Sequence, residues 1–127
     1  MLAHMLQAKG LVMRPLPAAV ALMMAVGAAF ADPVGTYGVS GTNPNDGSTY
    51  SGAVRVERTN ETYRVVWTIG GQRYVGTAIG NDQFLAVSYR SGNETGLALY
   101  GRDGDGWKGI WTYEGGQKLG SEIWQRQ

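Results

Sequence analysis

Two groups of residues in this 127-residue chain could do chemistry: ten carboxylates and thirteen aromatic side chains. The usual nucleophiles and metal ligands are scarce. The one histidine is His4, and there is no cysteine. Beyond residue 31 the chain therefore has no Ser-His-Asp or Cys-His set, no ordinary zinc site and no histidine for haem. Carboxylate-pair chemistry, as in glycoside hydrolysis, stays open. Most of the acids sit in turn-like stretches, namely Asp46, Glu61, Asp82, Glu94, Asp103, Asp105 and Glu114. Turn acids are normally solvated. Glu57 and Glu122 fall inside strand-like stretches, and Glu122 alternates with Ser121 and Ile123. Glu122 is the acid to inspect first, although an outward, solvated place is the ordinary one for a strand glutamate. We assign no catalytic residue, no metal site and no cofactor from the sequence.

Three motif matches fail on context. Gly104-Asp105-Gly106-Trp107-Lys108-Gly109 fits G-x-G-x-x-G. It lies between two strands, with no helix to receive a pyrophosphate. Asp103, Asp105 and Glu114 are spaced like parts of a calcium loop, but Trp107 and Lys108 stand where an oxygen ligand and a glycine are needed. Asn60-Glu61-Thr62 and Asn93-Glu94-Thr95 fit the glycosylation sequon, which matters only in a eukaryotic secretory pathway.

The aromatic set is the better candidate for function. Trp67, Tyr74, Trp107, Trp111 and Tyr113 share strands with Gly76, Ala78 and Gly109. Aromatic rings beside small residues can line a cavity for an apolar or planar ligand. In a small barrel the same rings can instead fill the interior. If Trp67 is buried, Trp67→Ala should cost about 3–5 kcal/mol.

Elements that would hold these rings follow from period-2 alternation. In Thr62 to Ile79, Tyr63, Val65, Trp67 and Ile69 alternate with Arg64, Val66 and Thr68, and Gly70-Gly71 then turns the chain back. The same theme predicts strands over 36–41, 50–58, 62–69, 72–79, 83–90, 94–102, 106–113 and 118–125. Thr42 to Ser48 is a loop rich in Asn, Asp, Pro and Gly. Eight strands joined by short turns make an antiparallel up-and-down meander. Closing first strand on last into a small barrel removes both edges, and a two-sheet sandwich is the alternative. The seven tyrosines fall about once per predicted strand.

Residues 1–31 read as a cleavable signal peptide, helical in its apolar part, and 32–127 as one β-domain. Lys9 and Arg14 precede the apolar run Leu16 to Val26, and Ala29-Phe30-Ala31 gives a small-x-small cleavage site. The start could be Met1 or Met5. Removing the leader takes Lys9 and Arg14, so eleven basic residues become nine against ten acidic ones. A near-neutral domain without a basic cluster points away from nucleic acid. Predicted strands of modest length, with Arg55, Glu57, Arg64, Arg73 and Lys108 on the non-core faces, point away from membrane insertion after cleavage.

Gly35-Thr36-Tyr37, Gly41-Thr42-Asn43-Pro44, Tyr50-Ser51-Gly52 and Tyr63-Arg64-Val65 with Trp67 form one set of signatures. Ile69-Gly70-Gly71, Leu85-Ala86-Val87, Ala98-Leu99-Tyr100, Trp107 with Gly109 and Trp111, and Lys118-Leu119-Gly120 with Glu122 and Trp124 form another. Together they resemble a family of small exported bacterial β-barrel proteins often labelled fibronectin-binding. The resemblance spans essentially all of 32–127. It implies a periplasmic or secreted, non-enzymatic binding protein with a host or envelope protein, fibronectin by the label, as partner. It carries over no binding residues. The chain has no Arg-Gly-Asp and none of the disordered repeats that add a strand to a partner.

Overall fold

A computed structural model describes residues 32–127; the signal peptide expected over 1–31 lies outside them. The described chain folds as eight strands: β1 (Gly35–Thr42), β2 (Thr49–Thr59), β3 (Thr62–Ile69), β4 (Gln72–Gly80), β5 (Phe84–Ser91), β6 (Glu94–Asp103), β7 (Gly106–Tyr113) and β8 (Gly120–Arg126). Each pairs antiparallel with the next, and β8 pairs back with β1 from Tyr37↔Arg126 to Thr42↔Ser121. The sheet is a closed barrel, so no described strand is left with a bare edge. The two-sheet sandwich is not formed.

Turn chemistry sets this order. Gly70 and Gly71 have φ of 58° and 79°, the two positive values a type I′ turn requires, and they join Ile69 to its partner Gln72. The long loop 43–48 is held by its own bonds. Asn43 N donates to Ser48 O at 2.9 Å, Gly47 N to Asn43 O at 3.0 Å, and Ser48 N to Asp46 Oδ1 at 2.9 Å. β8 starts two residues later than the alternation predicts. The loop 114–119 curls first, with Gly116 N donating to Tyr113 O at 2.8 Å.

Inward rows follow the predicted alternation: Tyr37 and Val39 on β1, Val54 and Val56 on β2, Tyr63, Val65 and Trp67 on β3, Leu85, Val87 and Tyr89 on β5. The outer surface is uneven. On β2 and β3 it carries the ion pairs of Glu57 with Arg55 and Arg64, both at 3.5 Å. On β4 to β7 it carries exposed Ile79, Leu97, Leu99 and Ile110, with Ile79, Ala86, Leu99 and Ile110 in one cross-strand row.

The interior differs from end to end. One end, where the chain enters and leaves, is filled. Trp107 and Tyr37 are fully buried there, and Trp107 Nε1 donates to Tyr37 Oη at 3.3 Å. Tyr37 Oη donates to Pro33 O at 2.7 Å and accepts from Arg126 Nη2 at 2.7 Å. Arg126 also donates to Val34 O and Asp32 O. The opposite end is open.

Candidate functional site

Glu122 is the organising residue of the interior. It is only 5% exposed, the buried charged side chain among the described residues. Its cross-strand neighbours are glycines on both sides, Gly41 on β1 and Gly109 on β7. Next along the same row come Tyr50, paired with Gly41, and Tyr100, paired with Gly109. A Cβ at Gly41 would collide with Tyr50, and one at Gly109 with Tyr100. The two glycines thus leave the space in which the two tyrosine rings lie down towards the carboxylate. Tyr50 Oη donates to Glu122 Oε2 at 2.6 Å, and Tyr100 Oη to Oε1 at 2.7 Å. Trp124 Nε1 and Trp67 Nε1 also donate to Oε1, at 2.8 and 3.2 Å.

Four donors surrounding one carboxylate offset its desolvation, which would otherwise be several kcal/mol. The effect on the tyrosines is reciprocal. Burial first, and the Glu122 charge second, push the hydroxyls of Tyr50 and Tyr100 well above the ordinary tyrosine value. Both remain donors through the physiological range.

Above this cluster the barrel opens into a cavity of about 210 Å³. Its floor is Glu122 with Tyr50, Trp67 and Tyr100, and its walls include Tyr74, Tyr89, Trp111 and Tyr113. The rings meet edge to face: Trp67–Tyr89 at 5.9 Å, Tyr74–Tyr89 and Tyr89–Trp111 at 6.1 Å, Trp111–Tyr113 at 5.1 Å between centroids. Such contacts hold the walls at fixed angles. Trp111 Nε1 donates to Thr42 O at 3.2 Å, which ties the wall to the end of β1.

Tyr89 is the exception to this satisfied network. It is 7% exposed, and its hydroxyl is buried without a hydrogen-bond partner. It lies against Gly96, its cross-strand neighbour. Burial, then the charge of Glu94 at the rim, pushes this hydroxyl upward as well. The same two causes act on Tyr74 and Tyr113.

Of the five aromatic residues singled out from the sequence, Trp67, Tyr74, Trp111 and Tyr113 line this cavity. Trp107 does not: it is packed at the filled end under Arg102, whose guanidinium lies 4.3 Å from the ring centroid. The two views of the aromatic set, filling and lining, therefore each hold for one end. Sequence reasoning also placed Glu122 on the ordinary, solvated side of its strand, and it is inside. Ile123 misleads there, because it points outward and is 41% exposed. Tyr50, Tyr89 and Tyr100 were visible only as a tyrosine per strand; their convergence depends on register. Glu94, counted as a solvated turn acid, is exposed and also lines the cavity. Glu57 stands on the surface, in its ion pairs with Arg55 and Arg64.

No protein-family model and no curated protein sequence matches the chain.

Proposed function

We propose that this protein is an exported, non-enzymatic binding protein of the bacterial envelope that takes a small ligand into the open end of its barrel. The observation that carries this reading is the aromatic-walled cavity of about 210 Å³ standing over the buried Glu122, which accepts four hydrogen bonds. A dry cavity of about 150 Å³ accepts benzene, so this one has room for a group somewhat larger. A binding role suits the carboxylate better than a catalytic one. Three donors occupy Oε1 and Tyr50 holds Oε2, which fixes the carboxylate at the floor, whereas a nucleophile or general base needs an oxygen free to meet substrate. Glu94 and Glu122 border the same space, which is the one feature favouring a carboxylate hydrolase.

Native mass spectrometry of the protein purified from its own cell envelope tests the reading. The expected result is a small-molecule adduct that Trp111→Ala loses and Trp107→Ala retains. Protein that carries no adduct, and whose indole resonances do not respond to any member of a diverse small-molecule library, would sink it.

A second reading has its own observation. The outward row Ile79, Ala86, Leu99 and Ile110 is a cross-strand apolar strip on the outer surface, and exposed strips of that kind mark protein interfaces. In this reading a host or envelope protein, fibronectin by the family resemblance, docks on the outside of β4 to β7. Immobilised fibronectin should then bind the protein, and a Leu99→Lys/Ile110→Lys double variant should abolish binding while leaving the fold unchanged.

A further inference from the structure

The two ends of the interior treat positive charge in opposite ways. At the filled end each of three rings carries an arginine from this chain: Arg58 lies 4.7 Å from the centroid of Tyr63, Arg102 4.3 Å from Trp107 and Arg126 4.8 Å from Tyr37. At the open end the rings are as dense, but the side chains lining the cavity include two glutamates and, among the described residues, no lysine or arginine. Arg73 and Arg90, the nearest strand cations in sequence, sit on the outward rows of β4 and β5 and are exposed.

Three further details bear on what would fill the space. Glu122 Oε1 accepts three hydrogen bonds, whereas Oε2 accepts one, from Tyr50. Tyr89 Oη is buried in the wall without a partner. Finally, the hydroxyls of Tyr74, Tyr89 and Tyr113 are each raised, by burial first and by the negative charge of Glu94 next. The charge of Glu94 thus reaches all three rings. A mouth walled by aromatic rings and bordered by two carboxylates, with no basic side chain in its lining, favours a cation, because ring quadrupoles and acids attract the same charge.

We propose that the open end binds a small organic ammonium ion of about the size of choline, held between Tyr74, Tyr89 and Trp111 with Glu94 and Glu122 as counter-charges. This rests on the reading of the mouth as a ligand site and names its ligand class. A neutral planar molecule would gain the same apolar contact and forgo the charge. An anion would meet two carboxylates.

The test compares choline with its neutral isostere 3,3-dimethylbutanol and with pivalate, an anion of similar bulk. Binding to the protein is followed by the indole N–H resonances of its four tryptophans. Choline should shift Trp67 and Trp111 saturably and leave Trp107 unmoved. The isostere should bind at least about tenfold more weakly, and pivalate more weakly still. Glu94→Gln, at an exposed rim position, should weaken choline several-fold while the fold and the isostere's affinity stay the same. Glu122→Gln should weaken it too, but that variant also disturbs the core, so the Glu94 result decides. If the isostere or pivalate binds as tightly as choline, the ligand class is wrong while the mouth remains a ligand site. If choline shifts no tryptophan, the ammonium proposal is overturned, and the mouth reading is then judged on the co-purified adduct alone. If choline shifts Trp67 and Trp111 equally in wild type and Glu94→Gln, the assigned counter-charge is wrong and the proposal fails in that form.

Discussion

The filled and open ends of this barrel are built from the same materials and solve opposite problems. Both are lined by inward tyrosines and tryptophans, and β3 and β7 contribute to each. At the filled end each polar atom of Tyr37, Trp107 and Arg126 finds a partner within the chain, with Arg126 reaching three carbonyls and the Tyr37 hydroxyl. At the open end Tyr74 and Tyr113 are partly exposed, and Tyr89 keeps a hydroxyl with nothing to bond. Ring-on-ring packing alone does not close a barrel end. Closure here takes three arginines placed over rings and a lead-in segment at 32–34 for one of them to hold. Where these are missing, the same rings become walls.

Replacing one tryptophan at each end breaks the comparison most directly. Trp107→Ala removes a fully buried side chain and should cost about 3–5 kcal/mol. Trp67→Ala, at 4% exposure, belongs in the same range. Trp111→Ala removes a half-buried one and should cost roughly half as much. Urea unfolding of the three variants gives the ranking, and equal losses at residues 107 and 111 would mean the open end is as tightly packed as the filled one.

Glu122 joins the two regions. Glu122→Ala strips an acceptor from three buried donors, on Trp67, Tyr100 and Trp124, at about 1–3 kcal/mol each before relaxation. We expect a loss of at least about 3 kcal/mol, read by the same unfolding curves. A near-neutral outcome would show that the donors find water through the mouth.

Alkaline titration probes the same cluster. The Tyr100 hydroxyl sits well above its ordinary value of 10.0 in the folded protein, because of burial and then the Glu122 charge. The native state therefore keeps a proton that the unfolded chain has already released. Its stabilising share is intact below pH 10 and drains away as pH climbs beyond 10 towards the native value, at up to about 1.4 kcal/mol per pH unit. Tyr50 and Tyr89 act in the same direction. Unfolding free energy measured at successive pH values should fall steeply on the alkaline side, and Tyr100→Phe should flatten the slope.

The smallest effect is the sharpest in sign. Tyr100→Phe deletes a charge-assisted hydrogen bond and should destabilise by about 1.5–3 kcal/mol. Tyr89→Phe deletes a hydroxyl that has no partner, so it should be neutral or stabilising by about 1 kcal/mol in the unliganded protein. Thermal and urea unfolding of the pair give the two signs. A clear destabilisation by Tyr89→Phe would mean that this hydroxyl is solvated in the mouth.

Much of the barrel was legible in the chain because turn residues and alternation are local. Gly70-Gly71 announces its hairpin, and Tyr63-Val65-Trp67 announces the buried face of β3. The site was not legible, for a reason that lies in register. On β8 the inward row is Gly120, Glu122, Trp124 and Arg126, and the outward row contains Ile123. Neither row is apolar enough to name the buried face. What turns Glu122 inward is the pair of glycines beside it, and Gly41 and Gly109 become its neighbours only when β8 meets both β1 and β7. Likewise nothing local separates Trp107 from Trp111. They sit on one face of one strand, and which end of the barrel each occupies is set by the pairing of β7 with Trp124 and Gly120.

The carboxylate at the centre of the interior arrives on β8, the last of the eight described strands to be synthesised. Until that strand inserts between β7 and β1, Trp67, Tyr50 and Tyr100 have no acceptor to share, and the mouth has walls without a floor. Closing the barrel and flooring the mouth thus coincide: a chain ending before Glu122 would lose the pocket and the lock on its own seam at the same moment.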